Sequence, residues 1–338
     1  MNFQLIYKAM RVGLAAICAS AMMMVLAQAE TLKLAHFVPP AHTFTGAIVD
    51  PLVNGVNTAT GGSLEIQVYP GGELGKGPVE QYVRAVNGVA DITWGLAGYT
   101  SAQFPLSMIV ELPGVVGTSG MGYEAIWNAY EDHLTGEFPG TRPLALWTSE
   151  PMLFIMKDKE IRTVADLAGL KIRVSGAVPA RVIEALGATP VHMPAPQMYN
   201  ALQTGLVDGI MTGASAIHDF RLSEVANIYT EGPSLGNILF FVVMNEATYS
   251  ALPANEQAAI DANSGLELSK SGEDNWNRVA TETMAALRAD PNKMVISLTG
   301  DDAAAFDVIT LAVRDAVVSE LDANGLAASA VLSAMTGQ

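Results

Sequence analysis

The 338-residue chain has a single cysteine, Cys18. No internal disulfide can form, so the fold must hold together by burial. Basic residues are also scarce, with 18 Lys and Arg against 34 Asp and Glu. No basic stripe gathers anywhere, and a phosphate backbone would be repelled, which excludes nucleic acid as a partner. The five histidines, His36, His42, His133, His192 and His218, lack metal-ligand spacing, so neither a metal nor another cofactor is expected. Catalytic motifs are missing as well. Gly75-Lys76 has Pro70 where a phosphate loop needs its first glycine and Gly77 where it needs Ser or Thr. Glu80 stands in place of the third glycine of a dinucleotide fingerprint, and Gly117-Thr118-Ser119-Gly120-Met121 lacks the closing glycine of a nucleophile elbow. The chain therefore does not read as an enzyme. No stretch after residue 30 has the roughly 20 apolar residues of a membrane-spanning helix.

The N-terminus is where the apolar run is. Lys8 and Arg11 precede Val12 to Leu26, and Ala27-Gln28-Ala29 follows, the pattern of a cleaved secretory leader over residues 1–29. An uncleaved anchor is the alternative. Ile17 before Cys18 argues against a lipoprotein. Cleavage would make Glu30 the first residue, leave no cysteine, and leave 16 basic against 34 acidic residues, a net charge of −18. The remaining length suits two cores.

One pattern then occurs twice. Leu32 to Phe37 reads as a strand. Phe44, Ile48, Leu52 and Val56 follow at helical spacing, with Pro51 predicting a kink. Leu64, Ile66 and Val68 alternate as a strand. Val79, Tyr82, Val83 and Val86 form a helix face after Pro78, and Ala90 to Trp94 is a third strand. The second copy runs through the strand Lys171 to Val174, a helix ended by Gly187, the strand Pro190 to Met193, the helix Gln197 to Thr204 and the strand Val207 to Met211. Two β-α-β-α-β units predict an α/β protein with two mainly parallel sheets flanked by helices; a single doubly wound domain is the alternative. The expected division is residues 30–150 plus about 240–278 in lobe I, and 151–239 plus about 279–338 in lobe II. Met152 to Met156 and Ile238 to Met244 read as strands joining the lobes. Ala254 to Ala289 reads as a long lobe-spanning helix, broken at Gly265 and Gly272.

Ligands of open α/β sheets bind beyond the carboxyl ends of the strands. Those ends here hold one fixed cation, Arg173, whose planar fork matches a carboxylate or, alternatively, an internal acidic partner.

Several segments resemble a known family. They are Leu32 to His36, Tyr69-Pro70-Gly71-Gly72-Glu73-Leu74-Gly75, Asp91 to Gly95, the run Asp166-Leu167-Ala168-Gly169-Leu170-Lys171-Ile172-Arg173-Val174, Ala185-Leu186-Gly187-Ala188-Thr189-Pro190, and Tyr199 to Gly209. In order and spacing they are similar to the DctP-type solute-binding proteins of tripartite ATP-independent periplasmic (TRAP) transporters. The resemblance implies a two-lobed periplasmic-binding-protein fold of type II, a periplasmic location, capture of a small organic acid, and delivery to integral membrane TRAP permease subunits. It implies that Arg173 pairs with the ligand carboxylate. Where sialic-acid binders of the family carry a second arginine, this chain has Leu153, and Thr212 replaces the usual asparagine, so a smaller or more apolar acid is expected. Phe37, Trp94, Tyr99, Met152 and Phe241 are the candidate pocket walls, with core packing as the alternative for each. His36 is a candidate hydrogen-bond donor or a core histidine. A binding protein of an ATP-driven importer would share the fold, and a secreted enzyme is the remaining alternative.

Overall fold

The computed structural model describes residues 30–117 and 121–337; residues 1–29, expected to form a leader, and Thr118 to Gly120 of the rejected elbow motif lie outside them. Strands β1 (Glu30–Ala35), β2 (Leu64–Tyr69), β3 (Ile92–Leu96), β4 (Thr141–Thr148) and β10 (Leu239–Asn245) form one sheet in the order β2-β1-β3-β10-β4. Strands β5 (Met152–Met156), β6 (Lys171–Val174), β7 (Thr189–His192), β8 (Gly209–Gly213), β9 (Ile228–Glu231) and β11 (Met294–Ser297) form the other, in the order β11-β9-β5-β8-β6-β7.

The repeat in the sequence is a repeat in space. Strands β2-β1-β3 and β7-β6-β8 pair in the same relative order, all parallel. Asp91 and Asp208 do the same work in each: a carboxylate oxygen accepts from Lys33 N at 2.7 Å and from Lys171 N at 2.8 Å, tying each third strand to its first. Beyond these units the sheets are mixed. Strand β10 runs antiparallel to both β3 and β4, and β5 antiparallel to β8 and β9. The reason is connectivity: the chain leaves the first sheet after β4 and returns to it with β10.

The two crossings lie side by side. Ser149 N donates to Ile238 O (2.8 Å), Ile238 N to Ser149 Oγ (3.0 Å), Asn237 Nδ2 to Ser149 O (2.7 Å) and Met152 N to Gly236 O (2.9 Å). A third crossing is the helix Leu266–Ala289, which packs on β4 at one end and on β11 and the helix Ser215–Asp219 elsewhere. Gly265, at φ 72°, separates it from the helix Ala254–Ala262. Gly272 does not break it. A Cβ there would stand 2.9 Å from the ring of Trp147 and 3.0 Å from Ile48 Cδ1, so the glycine lets the helix lie close on the core.

Two expectations change in detail, and a third is given its local form. Pro51 lies inside a continuous helical stretch over 43–60, directly after a π turn. The turn before it, Thr45–Val49, is a π turn in which Asp50 N donates to Thr45 O. The helix after Pro78 begins only at Gln81, and its inward face is Tyr82 and Ala85; Val79, Val83 and Val86 are exposed. The Tyr82 hydroxyl reaches Pro139 O at 3.0 Å, which turns the aromatic side inward. Finally, of the tail assigned to the second lobe, the helix Ala328–Thr336 packs instead against the helix Gly122–Ala129 and the turn Ser107–Glu111, beside the first sheet.

Candidate functional site

The carboxyl ends of β1, β3, β6 and β8 converge with the two crossing segments on one partly open cleft. Its walls are mostly apolar, with Phe37, Trp94, Phe220, Phe240 and Trp276 the largest groups. The polar groups at its wall are Arg173, Ser149, Thr212, Ser215, His42 and Asp219.

Arg173 is the centre of the site. It lies on β6 between β7 and β8 and is only 1% exposed. Its Nε donates to Met193 O at 2.9 Å, while Nη2 is buried with no partner. No carboxylate pairs with it among the described residues; its close polar neighbour is the Tyr99 hydroxyl. Burial lowers the guanidinium pKa from its ordinary value and the Tyr99 contact opposes that. A buried cation with free donors and no counter-ion is costly unless an anion completes it.

Tyr99 comes from the other side of the cleft. Its hydroxyl accepts from Ala195 N at 2.8 Å, and burial raises its pKa, so it stays a neutral phenol. Its ring leans on Phe37 at 6.3 Å. Phe37 in turn stacks on Trp94 (4.8 Å, 6°), and Phe44 stacks on Trp94 at 4.3 Å and 16°. Trp94 is thus held between two rings and forms a rigid wall. Thr212, on β8 opposite Leu153, is buried at the cavity wall.

Of the eight candidate residues, the cleft therefore gathers Arg173, Phe37, Trp94 and Thr212, with Tyr99 touching Arg173 and Phe37. The structure places the other three elsewhere. His36 packs edge-on to Phe44 at 5.1 Å, away from the cavity wall, and burial lowers its pKa to about 4, so it is a neutral core histidine. Met152 lines a separate groove with Glu150 and Leu235. Phe241 lies on the opposite face of its strand, packed on Tyr82, Phe104 and Gly95; its neighbour Phe240 faces the cleft. Residue alternation explains the exchange: Phe240 pairs with Leu96 and Val242 with Trp94, so the even-numbered residues of β10 share the cavity face.

Sequence reasoning missed His42, Asp219, Phe220, Met198, Phe240 and Trp276. His42 and Asp219 join the two sides of the cleft. Asp219 Oδ1 accepts from Thr43 N (3.1 Å) and Thr43 Oγ1 (2.9 Å), and Oδ2 lies 3.4 Å from His42 Nε2. Phe44 N donates to His42 Nδ1 at 3.1 Å, which leaves the ring proton on Nε2, facing the carboxylate. Burial lowers the His42 pKa to about 4 despite Asp219, so the ring is neutral. A signal was present, since both residues follow strand ends, in the turn after β1 and in the helix after β8. Among the described residues no group of three or more His, Cys, Asp or Glu could hold a metal.

A cleft between two mixed α/β layers joined by repeated chain crossings is the architecture of a two-lobed periplasmic binding protein. The chain matches the bacterial extracellular solute-binding protein family 7 (DctP) over residues 34–319 and belongs to that family. The family's members are transport proteins, not enzymes, and its extracellular character implies a location outside the cytoplasm. A TRAP solute-binding protein from Rhodoferax ferrireducens, solved with copurified benzoate, is similar at 28% identity and a TM-score of 0.83, over 91% of this chain and 96% of that one. A marine metagenome TRAP solute-binding protein specific for aromatic acid ligands, with 3-hydroxybenzoate, matches at 28% identity and a TM-score of 0.84, over 92% and 98% of the two chains. Among curated relatives, the C4-dicarboxylate-binding periplasmic protein DctP of Rhodobacter capsulatus is 25% identical over 329 residues, 94% of this chain and 95% of that protein. The protein is thus a TRAP-type solute-binding protein.

Proposed function

We propose that this protein captures a small monocarboxylate with an aromatic or otherwise apolar body and delivers it to a TRAP permease in the membrane. The observation that carries this reading is Arg173: a buried guanidinium with an unpartnered Nη2 at the wall of a cleft built from Phe37, Trp94, Phe220, Phe240 and Trp276. A carboxylate would complete the guanidinium bidentately, and the ring wall would take an apolar body. The cleft offers one fixed cation and few hydroxyls, which suits a sugar acid poorly. The benzoate and 3-hydroxybenzoate of the similar structures have the same chemistry.

A thermal-shift screen with benzoate, 3-hydroxybenzoate, mandelate, glucuronate and succinate tests the reading, because a ligand that binds only the folded state raises the melting temperature. The aromatic monocarboxylates should stabilise and glucuronate should not. Arg173→Ala should weaken the best ligand by about 2–5 kcal/mol, roughly thirty-fold to several-thousand-fold, by leaving its carboxylate buried and unpaired. Arg173→Lys should recover only part, since an ammonium lacks the planar fork. Near-normal affinity in Arg173→Ala would sink the assignment.

A further inference from the structure

The cleft that holds the unpaired cation also holds an acidic side chain with no lysine or arginine partner among the described residues. Asp219 lines the same cavity as Arg173, with its side chain 1% exposed. Its partners are the neutral donors of Thr43, the neutral His42 ring and the His218 ring, whose Nδ1 lies 3.3 Å from Oδ1. No lysine or arginine pairs with it among the described residues. The two charges stand apart. Between Tyr99, which touches Arg173, and His42, which touches Asp219, lie three successive ring contacts: Tyr99 to Phe37, Phe37 to Trp94 and Trp94 to His42.

We infer that Asp219 is a specificity-determining residue that makes the far end of the cleft reject a second carboxylate. The inference rests on Arg173 holding the first one, and it gives the protein a reason to exclude dicarboxylates beyond the lack of a second arginine. A ligand carboxylate on Arg173 is neutralised where it sits. A second carboxylate toward Phe220 and Trp276 would meet the Asp219 charge in a narrow, largely apolar cleft, where screening by water is weaker than in bulk. Discrimination by a repulsive element costs the correct ligand nothing, because its far end is uncharged. The same carboxylate also accepts the Thr43 bonds across the cleft, so its charge is fixed in place by the structure that closes the site.

The test compares ligands of one shape and different charge. Terephthalate and 4-carbamoylbenzoate form one such pair, and isophthalate and 3-carbamoylbenzoate the other, each measured by calorimetry beside benzoate. The wild-type protein should prefer the amide of at least one pair by about ten-fold or more. Asp219→Asn should bring that ratio close to one. Asp219→Asn also weakens the contact with Thr43 and lowers all affinities together, so the ratio is the readout. Thr43→Val provides the control: it removes one donor to Asp219 and leaves the charge, and should weaken both members of a pair with their ratio unchanged. A wild-type ratio near one, or an undiminished ratio in Asp219→Asn, overturns the inference. So does benzoate binding with none of the four disubstituted acids bound, since shape would then close the far end. Failure of the underlying reading looks different: no monocarboxylate would stabilise the wild-type protein, and the inference would fall with it.

Discussion

Arg173 is not the only buried ionisable group that lacks a full set of partners. Glu111 is fully buried beside the second crossing; Oε1 accepts from Leu239 N at 2.9 Å and Oε2 has no partner. Burial pushes its pKa up to about 8. Glu150, at the first crossing, accepts from Ser215 N at 2.6 Å, leaves Oε2 unpartnered, and is pushed up to about 7, again by burial. Both are protonated in the folded protein under conditions where the unfolded chain has ionised them. Between the unfolded value near 4.5 and the folded value, the folded state binds more protons. Stability therefore falls as pH rises through that window, by up to about 1.4 kcal/mol per pH unit for each group. Glu111→Gln keeps an acceptor for Leu239 N and removes the titration. We expect its melting temperature to fall less steeply than the wild type's between about pH 5 and pH 8, leaving the Glu150 part of the slope. Parallel curves for the two proteins would show that Glu111 does not titrate in that range.

At the scale of elements, the helices and strands that follow a clear period were legible, and those whose direction depends on remote partners were not. The two β-α-β-α-β units were readable because Gly88 and Gly205 stop their helices and Asp91 and Asp208 open the closing strands in the same way. Strand β4 carries Arg142 and Pro143 at its start and has no clean alternation, because it is buried at nearly every position between β10 and the long helix. The sequence points to Phe241 where the structure sets Phe240 at the cleft, because the register of β10 against β3 is a long-range fact that a single strand does not contain. Gly272 is a similar case. Glycine inside a helix suggests a break, yet here its lack of a side chain is what packing requires. Alanine would ordinarily favour a helix interior by about 0.5–1 kcal/mol. At Gly272 the added Cβ meets Trp147, which is fully buried and has no room to turn. Gly272→Ala should therefore destabilise by about 1–3 kcal/mol in urea melts, the usual cost of overpacking. A stabilised variant would mean that the helix shifts freely on the core.

At the scale of the molecule, the two lobes touch on both sides of the cleft while the crossings join them behind it. On one side Thr43 donates to Asp219. On the other, Ala177 N reaches Ser101 Oγ at 3.3 Å and Ala195 N reaches Tyr99 Oη at 2.8 Å. There the backbones themselves meet: a Cβ added to Gly176 would lie 2.6 Å from both Cα and O of Gly98. These contacts are what a hinge motion about residues 149–151 and 236–238 would make and break. Gly176 is extended, at φ −169°, so alanine fits its backbone without strain. The added methyl group therefore opposes only the approach of Gly98, and its effect falls on the closed arrangement of the lobes. A ligand held between Arg173 and the ring wall favours closure by its contacts to both sides, and it must now overcome that opposition. Gly176→Ala should keep the melting temperature of the unliganded protein and bind the stabilising monocarboxylate at least about ten-fold more weakly. Small-angle scattering gives the second readout: the wild type should compact on adding saturating ligand, and the variant should compact less. Unchanged affinity together with wild-type compaction would show that the lobes close without bringing Gly98 against Gly176.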